Sequence, residues 1–277
     1  MHPPVALLLH PAARLSLTEF TVHPSTVIGL AGLGALYLWR ARHRPAGVDS
    51  PSTAQRATFF AALALIFLSL NGWLHDLSDG YLFSAHMVQH LVLTLVAPPM
   101  LVMGTPGWML RPALARRGVG PVARFLTAPA HCFVIFNVVL AAWHLPPMYE
   151  LAMTHHSIHI VQHLCFMTAA VLMWWPVLSP LPELPRLPYP GQMLYLFLMS
   201  IPMSLVAICI GYSGRLLYPS YASAPRIWGI TPMMDQMLGA LIMWIPGGLF
   251  FFVIISVVFF RWQQTNGDET QLGAQVR

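Results

Sequence analysis

Lysine is absent from the 277 residues, and all 14 basic side chains are arginine. That removes Schiff-base and other amine-dependent chemistry at once. Charged residues of either sign make up only 8% of the chain, against about 25% in an ordinary soluble domain. The three cysteines, Cys132, Cys165 and Cys209, lie far apart inside apolar runs and form neither a disulfide framework nor a Cys-x-x-Cys metal pair. What fills the chain instead is hydrophobic, 57% of it, and such a chain belongs in a membrane. The net charge of +5 does not point to nucleic acid, because the arginines fall in short connections between apolar runs. The N-terminus has no basic start, and its apolar stretch from Val5 to Leu9 is short, so it is not read as a cleaved signal.

Apolar runs of about 20 residues can each cross the hydrocarbon of a bilayer. Seven are found, at about residues 22–39, 57–75, 82–103, 128–144, 157–178, 192–212 and 234–260. The expected fold is an all-α polytopic bundle forming one domain over residues 1–262, with a polar, disordered cytoplasmic tail from residue 263 to 277. Six spans result if the first, which is short and Gly-rich, lies flat. Pro98-Pro99 should kink or end the third span, Pro146-Pro147 should stop the fourth, and Pro246-Gly247-Gly248 should bend the seventh. Arg40, Arg42, Arg44 and Arg56 lie between the first two spans, and Arg111, Arg116, Arg117 and Arg124 between the third and fourth. The positive-inside rule then puts the N-terminus outside and the C-terminus inside.

One pattern occurs twice. Ser84-Ala85-His86-Met87-Val88-Gln89-His90-Leu91 and Ser157-Ile158-His159-Ile160-Val161-Gln162-His163-Leu164 share Ser-x-His-x-Val-Gln-His-Leu. On a helix, positions i and i+4 lie about 40° apart and about 6 Å along the axis. Each copy therefore sets two imidazoles on one face, at the spacing by which two histidines take hold of one metal ion. Both spans start outside and run inward, so the pairs are parallel and equal in depth. Gln89 and Gln162 would support the ligands or bond between helices.

The same topology brings His75, His144, His155 and His156 to that level, so eight of the 13 histidines gather at the outer mouth. Asp235 opens the seventh span, as an N-cap or a ligand, with Met237 beside it. Asp76 and Asp79 are read as a short loop. Met148 and Met153 join His144, His155 and His156 in a stretch read as a mobile loop, a releasing set to complement the four helix-borne histidines. Thioether beside imidazole favours copper(I) over zinc. A zinc protease needs Glu directly after its first histidine; Met87 and Ile160 stand there, so hydrolysis is not expected. Bis-imidazole haem ligation is the rival, in a haem-binding oxidoreductase or haem-modifying protein. It leaves half of the four histidines idle.

His86-x-x-Gln89-His90, Ala97-Pro98-Pro99, Gly104-x-Pro106, Trp143-His144-x-Pro146, His155-His156-x-x-His159-x-x-x-His163, Asp235-Gln236 and Met243-Trp244-x-Pro246 together resemble the multi-pass CtaG-type cytochrome c oxidase assembly factors, over roughly Ala57 to Arg261. The resemblance implies a bacterial inner-membrane protein that matures an aa3-like haem-copper oxidase through copper delivery, without being an enzyme. Its partners would be oxidase subunits, periplasmic copper chaperones and membrane lipid, with no nucleic acid.

Overall fold

The computed structural model describes residues 20–275, with side chains through residue 266. The segment Val5 to Leu9 lies outside the described residues. Every regular element described is helical: α1 Pro24–Arg42, α2 Thr53–Ser69, α3 Gly72–Gly80, α4 Phe83–Leu91, a π-helical segment Val92–Val96, α5 Ala97–Gly104, α6 Gly107–Leu114, α7 Val119–Leu126, α8 Pro129–His144, α9 Pro146–Thr154, α10 His156–Leu178, α11 Tyr189–Gly211, α12 Pro219–Ala222 and α13 Pro232–Gln275. Phe83–Gly104, His156–Leu178, Tyr189–Gly211 and Pro232–Asn266 are each long and apolar enough to cross a membrane. Two bent pairs raise the number to six: α2 with α3, at 42°, and α7 with α8, at 71°. The protein is a membrane protein, and α1 is not among these spans.

Several breaks differ from the sequence expectation. The span at residues 57–75 is interrupted at Asn71. Gly72 there has φ +65°, a conformation that glycine adopts freely, and its N–H donates to Thr21 O at 2.8 Å. A new short helix, α3, follows and carries His75 and Asp79, so Asp79 is helical and not in a loop. Pro98-Pro99 does not end its span. Proline has no N–H for the carbonyl four residues earlier, which for Pro98 is Thr94 O. Trp174 Nε1 donates to that carbonyl at 3.0 Å, and the π-helical turn just before the prolines carries the chain through. Pro146-Pro147 does stop α8, but the prolines occupy the first turn of α9, where a missing N–H costs nothing. The stretch expected to be a mobile loop is therefore a helix with buried Tyr149 and Met153. Helix α13 continues to Gln275, so the tail expected to be disordered extends the last helix.

The core runs through α8, α10, α11 and α13. Helix α5 packs closely on α2: a Cβ added to Gly104 would lie 2.6 Å from Phe59 N. Tyr37 of α1 donates to Gly104 O at 3.1 Å at this same end. Gly104→Ala is expected to lower the stability of the detergent-solubilised protein by about 1–3 kcal/mol through overpacking. Gly248→Ala, where a Cβ meets nothing within 4 Å, should leave it unchanged. Thermal melts of the two variants side by side check this.

Candidate metal centre

Helix α4 is anchored at its first turn by a carboxylate from another helix. Asp235 of α13 accepts from Phe83 N (2.6 Å), Ser84 N (3.1 Å) and Ser84 Oγ (2.5 Å). Negative charge at a helix N-terminus satisfies otherwise unbonded N–H groups and the helix dipole together. Asp235 thus caps α4, not its own helix, and its oxygens are spent there. Met237, on the same helix, is half exposed at 51%.

With α4 fixed, the two His-x-x-x-His pairs meet across the space between α4 and α10. Ring centroids of His86 lie 5.7 Å from His159 and 6.2 Å from His163. Within the pairs the separations are 4.2 Å for His86–His90 and 4.4 Å for His159–His163. All four rings are buried, His86 entirely. The ligand nitrogens of His86, His159 and His163 all lie within 4.8 Å of one another. His90 stands beside the triad, 5.7 Å from His163, and bridges towards His144 at 5.9 Å.

The residue that sequence reading missed is Asp79. Its Oδ2 lies 3.2 Å from His159 Nδ1 and 3.5 Å from His75 Nε2, and its Oδ1 accepts from Ser78 Oγ at 2.9 Å. The carboxylate is 2% exposed. The contact occupies the Nδ1 edge of His159 and leaves Nε2, which has no hydrogen-bond partner among the described residues, as the nitrogen available to a ligand; carboxylates beside Nδ1 commonly set metal-binding imidazoles in this way. His75 therefore serves Asp79 and lies behind the triad. Its Nδ1 is 3.2 Å from Gln89 Nε2, which also donates to Ser69 O at 2.6 Å. The second glutamine does not mirror the first: Gln162 is buried, and neither side-chain polar atom has a hydrogen-bond partner among the described residues.

The remaining predicted ligands lie farther out. His155 is exposed, with Nδ1 near Thr154 Oγ1 at 2.9 Å, and His156 is exposed. Its ring is 5.9 Å from that of His23, which in turn sits 4.5 Å from His75. His23 lies at the start of the first apolar run, so the same topology argument could have counted it at this end. Met153 is buried with its sulfur 4.0 Å from Tyr221 Oη. Tyr221 donates to Ser78 O at 2.6 Å, tying the α11–α13 connection to the Asp79 helix, and burial holds its phenol well above the usual pKa.

The cluster opens sideways. A cavity of about 450 Å³ between α1, α2 and α10 is lined by His75, His159 and His163 on one side and by Leu30, Leu33 and Met167 on another.

Fold and site together define a polytopic helical membrane protein with a buried histidine cluster at one end of its bundle. A sequence model of the cytochrome c oxidase caa3 assembly factors (Caa3_CtaG) matches residues 34–265, and the chain belongs to that family. It is 26% identical over 219 residues to Uncharacterized protein Mb0105 of Mycobacterium bovis, a match covering 73% of this chain and 33% of that protein. Uncharacterized protein ML1998 of Mycobacterium leprae is 24% identical over 241 residues, covering 81% and 36% respectively. The chain thus spans about a third of the length of these curated relatives. No solved structure matches.

Asp79→Asn keeps the shape of the side chain but removes the charge that holds His159. It is expected to weaken metal binding about 10–100-fold without changing the number of ions bound. Competition titration of the purified variant against a chelator checks this, and unchanged affinity would remove Asp79 from the site.

Proposed function

We propose that this assembly factor holds a copper ion on His86, His159 and His163 and passes it to a cytochrome c oxidase subunit in the bacterial inner membrane. The observation that carries the reading is the set of buried imidazole nitrogens without a hydrogen-bond partner among the described residues: both of His86, and Nε2 of His159 and of His163. A neutral imidazole has one lone pair and one N–H, so each ring can give one ligand nitrogen, and three such nitrogens within 4.8 Å of one another suit a metal ion. Imidazole alone accepts zinc, copper, iron or nickel; the choice of copper comes from the family, whose named client is a haem-copper oxidase. Met237, half exposed, is not among the ligands in this reading.

Three ligands leave a coordination position open. A donor from the receiving protein could enter there before the histidines let go, so delivery would proceed by ligand exchange. His155 and His156, exposed at the same end, suit a first encounter with the ion, in place of the releasing loop that the sequence suggested. Periplasmic copper chaperones are the expected source. Haem fits less well, because bis-imidazole ligation leaves one of the three clustered imidazoles idle. No catalytic role is assigned, since the nearby carboxylate, Asp79, is held by His159, His75 and Ser78.

The orientation in this reading puts the histidine end outside. Eight arginines flank or fill the α1–α2 and α5–α8 connections, and Arg40 donates to Met109 O at 3.3 Å, joining them at the opposite end. Arg215 and Arg226 lie at the histidine end, and Arg226 is tied to Tyr221 O at 2.6 Å. The arginine imbalance still favours the first group as cytoplasmic. A reporter inserted beside Asp76 should be periplasmic and one at the C-terminus cytoplasmic; the reverse would place the site on the wrong side for periplasmic loading.

His86→Ala or His163→Ala should weaken copper binding by about 100-fold or more and lower oxidase activity in the membrane, with the variant itself inserted at normal level. Metal analysis, immunoblotting and oxidase assay of the same membranes check all three. Full copper content in both variants would refute the triad.

A further inference from the structure

The triad does not use His90 and His144, and their environment differs from it. His144 Nδ1 lies 2.7 Å from Leu140 O. A carbonyl can only accept, so Nδ1 carries the proton and Nε2 carries the lone pair. That Nε2 is buried and has no partner among the described residues, as is true of both nitrogens of His90. The two rings are 5.9 Å apart, with planes crossing at 80°. That gap accommodates one ion between ring edges at a metal–nitrogen distance of about 2 Å. Phe166 covers the pair, 4.6 Å from His90 and 5.9 Å from His144. The nearest acidic side chain in sequence, Glu150, is turned away and accepts from Ser220 N and Oγ.

We infer that His90 and His144 form a second metal position, two-coordinate and selective for Cu(I), next to the triad. Two neutral nitrogens in an apolar setting satisfy a closed-shell monovalent ion that accepts linear coordination. A divalent ion would keep its extra charge and lack at least two of the four ligands that zinc requires, because the neighbouring His86 and His163 are engaged by the triad's ion and Phe166 offers only a ring. His90 is one helical turn from His86 and close to His163, so an ion can change partners there without crossing solvent. Copper would then move from a three-nitrogen site that accepts either oxidation state to a two-nitrogen site that accepts only the reduced one. No electron transfer is part of this step; the ion enters and leaves as Cu(I).

This inference rests on the triad holding the first ion, and the experiment separates the two claims. The full chain, purified in detergent under anaerobic conditions, is titrated with Cu(I) and, separately, with Zn(II). The expected stoichiometry is about two Cu(I) but about one Zn(II). His144→Gln retains bulk and a donor for Leu140 O; it should bind about one of each, and so should His90→Ala. X-ray absorption of the doubly loaded protein should show a short two-nitrogen component that His144→Gln abolishes. One Cu(I) in the unmodified protein, or two in His144→Gln, overturns the second position and leaves the triad standing. No binding of either ion to the unmodified protein overturns both.

Discussion

A buried imidazole inside an apolar bundle is cut off from bulk water, so its ring nitrogens depend on other groups for partners. Seven ring nitrogens on His86, His90, His144, His159 and His163 lack a hydrogen-bond partner among the described residues. At about 1–3 kcal/mol for each unanswered polar atom, their sum is on the order of 10 kcal/mol, comparable with the whole stability of a typical domain. Evolution does not retain such a cost for packing alone. In the proposed reading, one metal ion bound by several of these nitrogens would offset much of that cost; structural zinc in small folded peptides contributes roughly 10–16 kcal/mol.

The rest of the bundle keeps those nitrogens facing one another. Asp235 fixes the start of α4 from α13, and Asp79 fixes His159 from α3, so the two halves of the site are positioned by carboxylates on different helices. The Trp174–Thr94 bond and the π-helical turn carry the span on without a break below His90 despite two prolines. Tyr218 donates to His144 O at 2.9 Å, which binds the α11–α13 connection over the end of α8. Ligands are thereby preorganised on helices, while the cavity beside His75 and His163 leaves one flank of the centre open within the bundle.

Much of this arrangement could be read from residue spacing. Histidines at i and i+4 on two spans of the same direction must share a level, and the duplicated Ser-x-His-x-Val-Gln-His-Leu put them there. His144 followed from its place at the end of a span. Asp79 did not, because a stretch with two aspartates, a serine and Gly80 carries the composition of a loop, and only the break at Gly72 turns it into a separate helix. Nor could the sequence tell Gln89 from Gln162: identical motifs meet different neighbours, and only one glutamine finds bonds. Asp235 reads from sequence as an N-cap of its own helix or a ligand, whereas the residues it caps begin a helix 151 residues away in the chain, a pairing that no local rule supplies. Pro146-Pro147 ends α8 as expected but also begins a new helix, while Pro98-Pro99 is absorbed within a span.

Among these elements the triad is the one on which the functional account turns. X-ray absorption at the copper edge, on the full chain loaded with a single equivalent of copper, tests it most directly. The account predicts about three imidazole nitrogens at about 2 Å with no sulfur shell, and loss of one nitrogen in His163→Gln. A sulfur-dominated shell, or a spectrum that His163→Gln leaves unchanged, would contradict it.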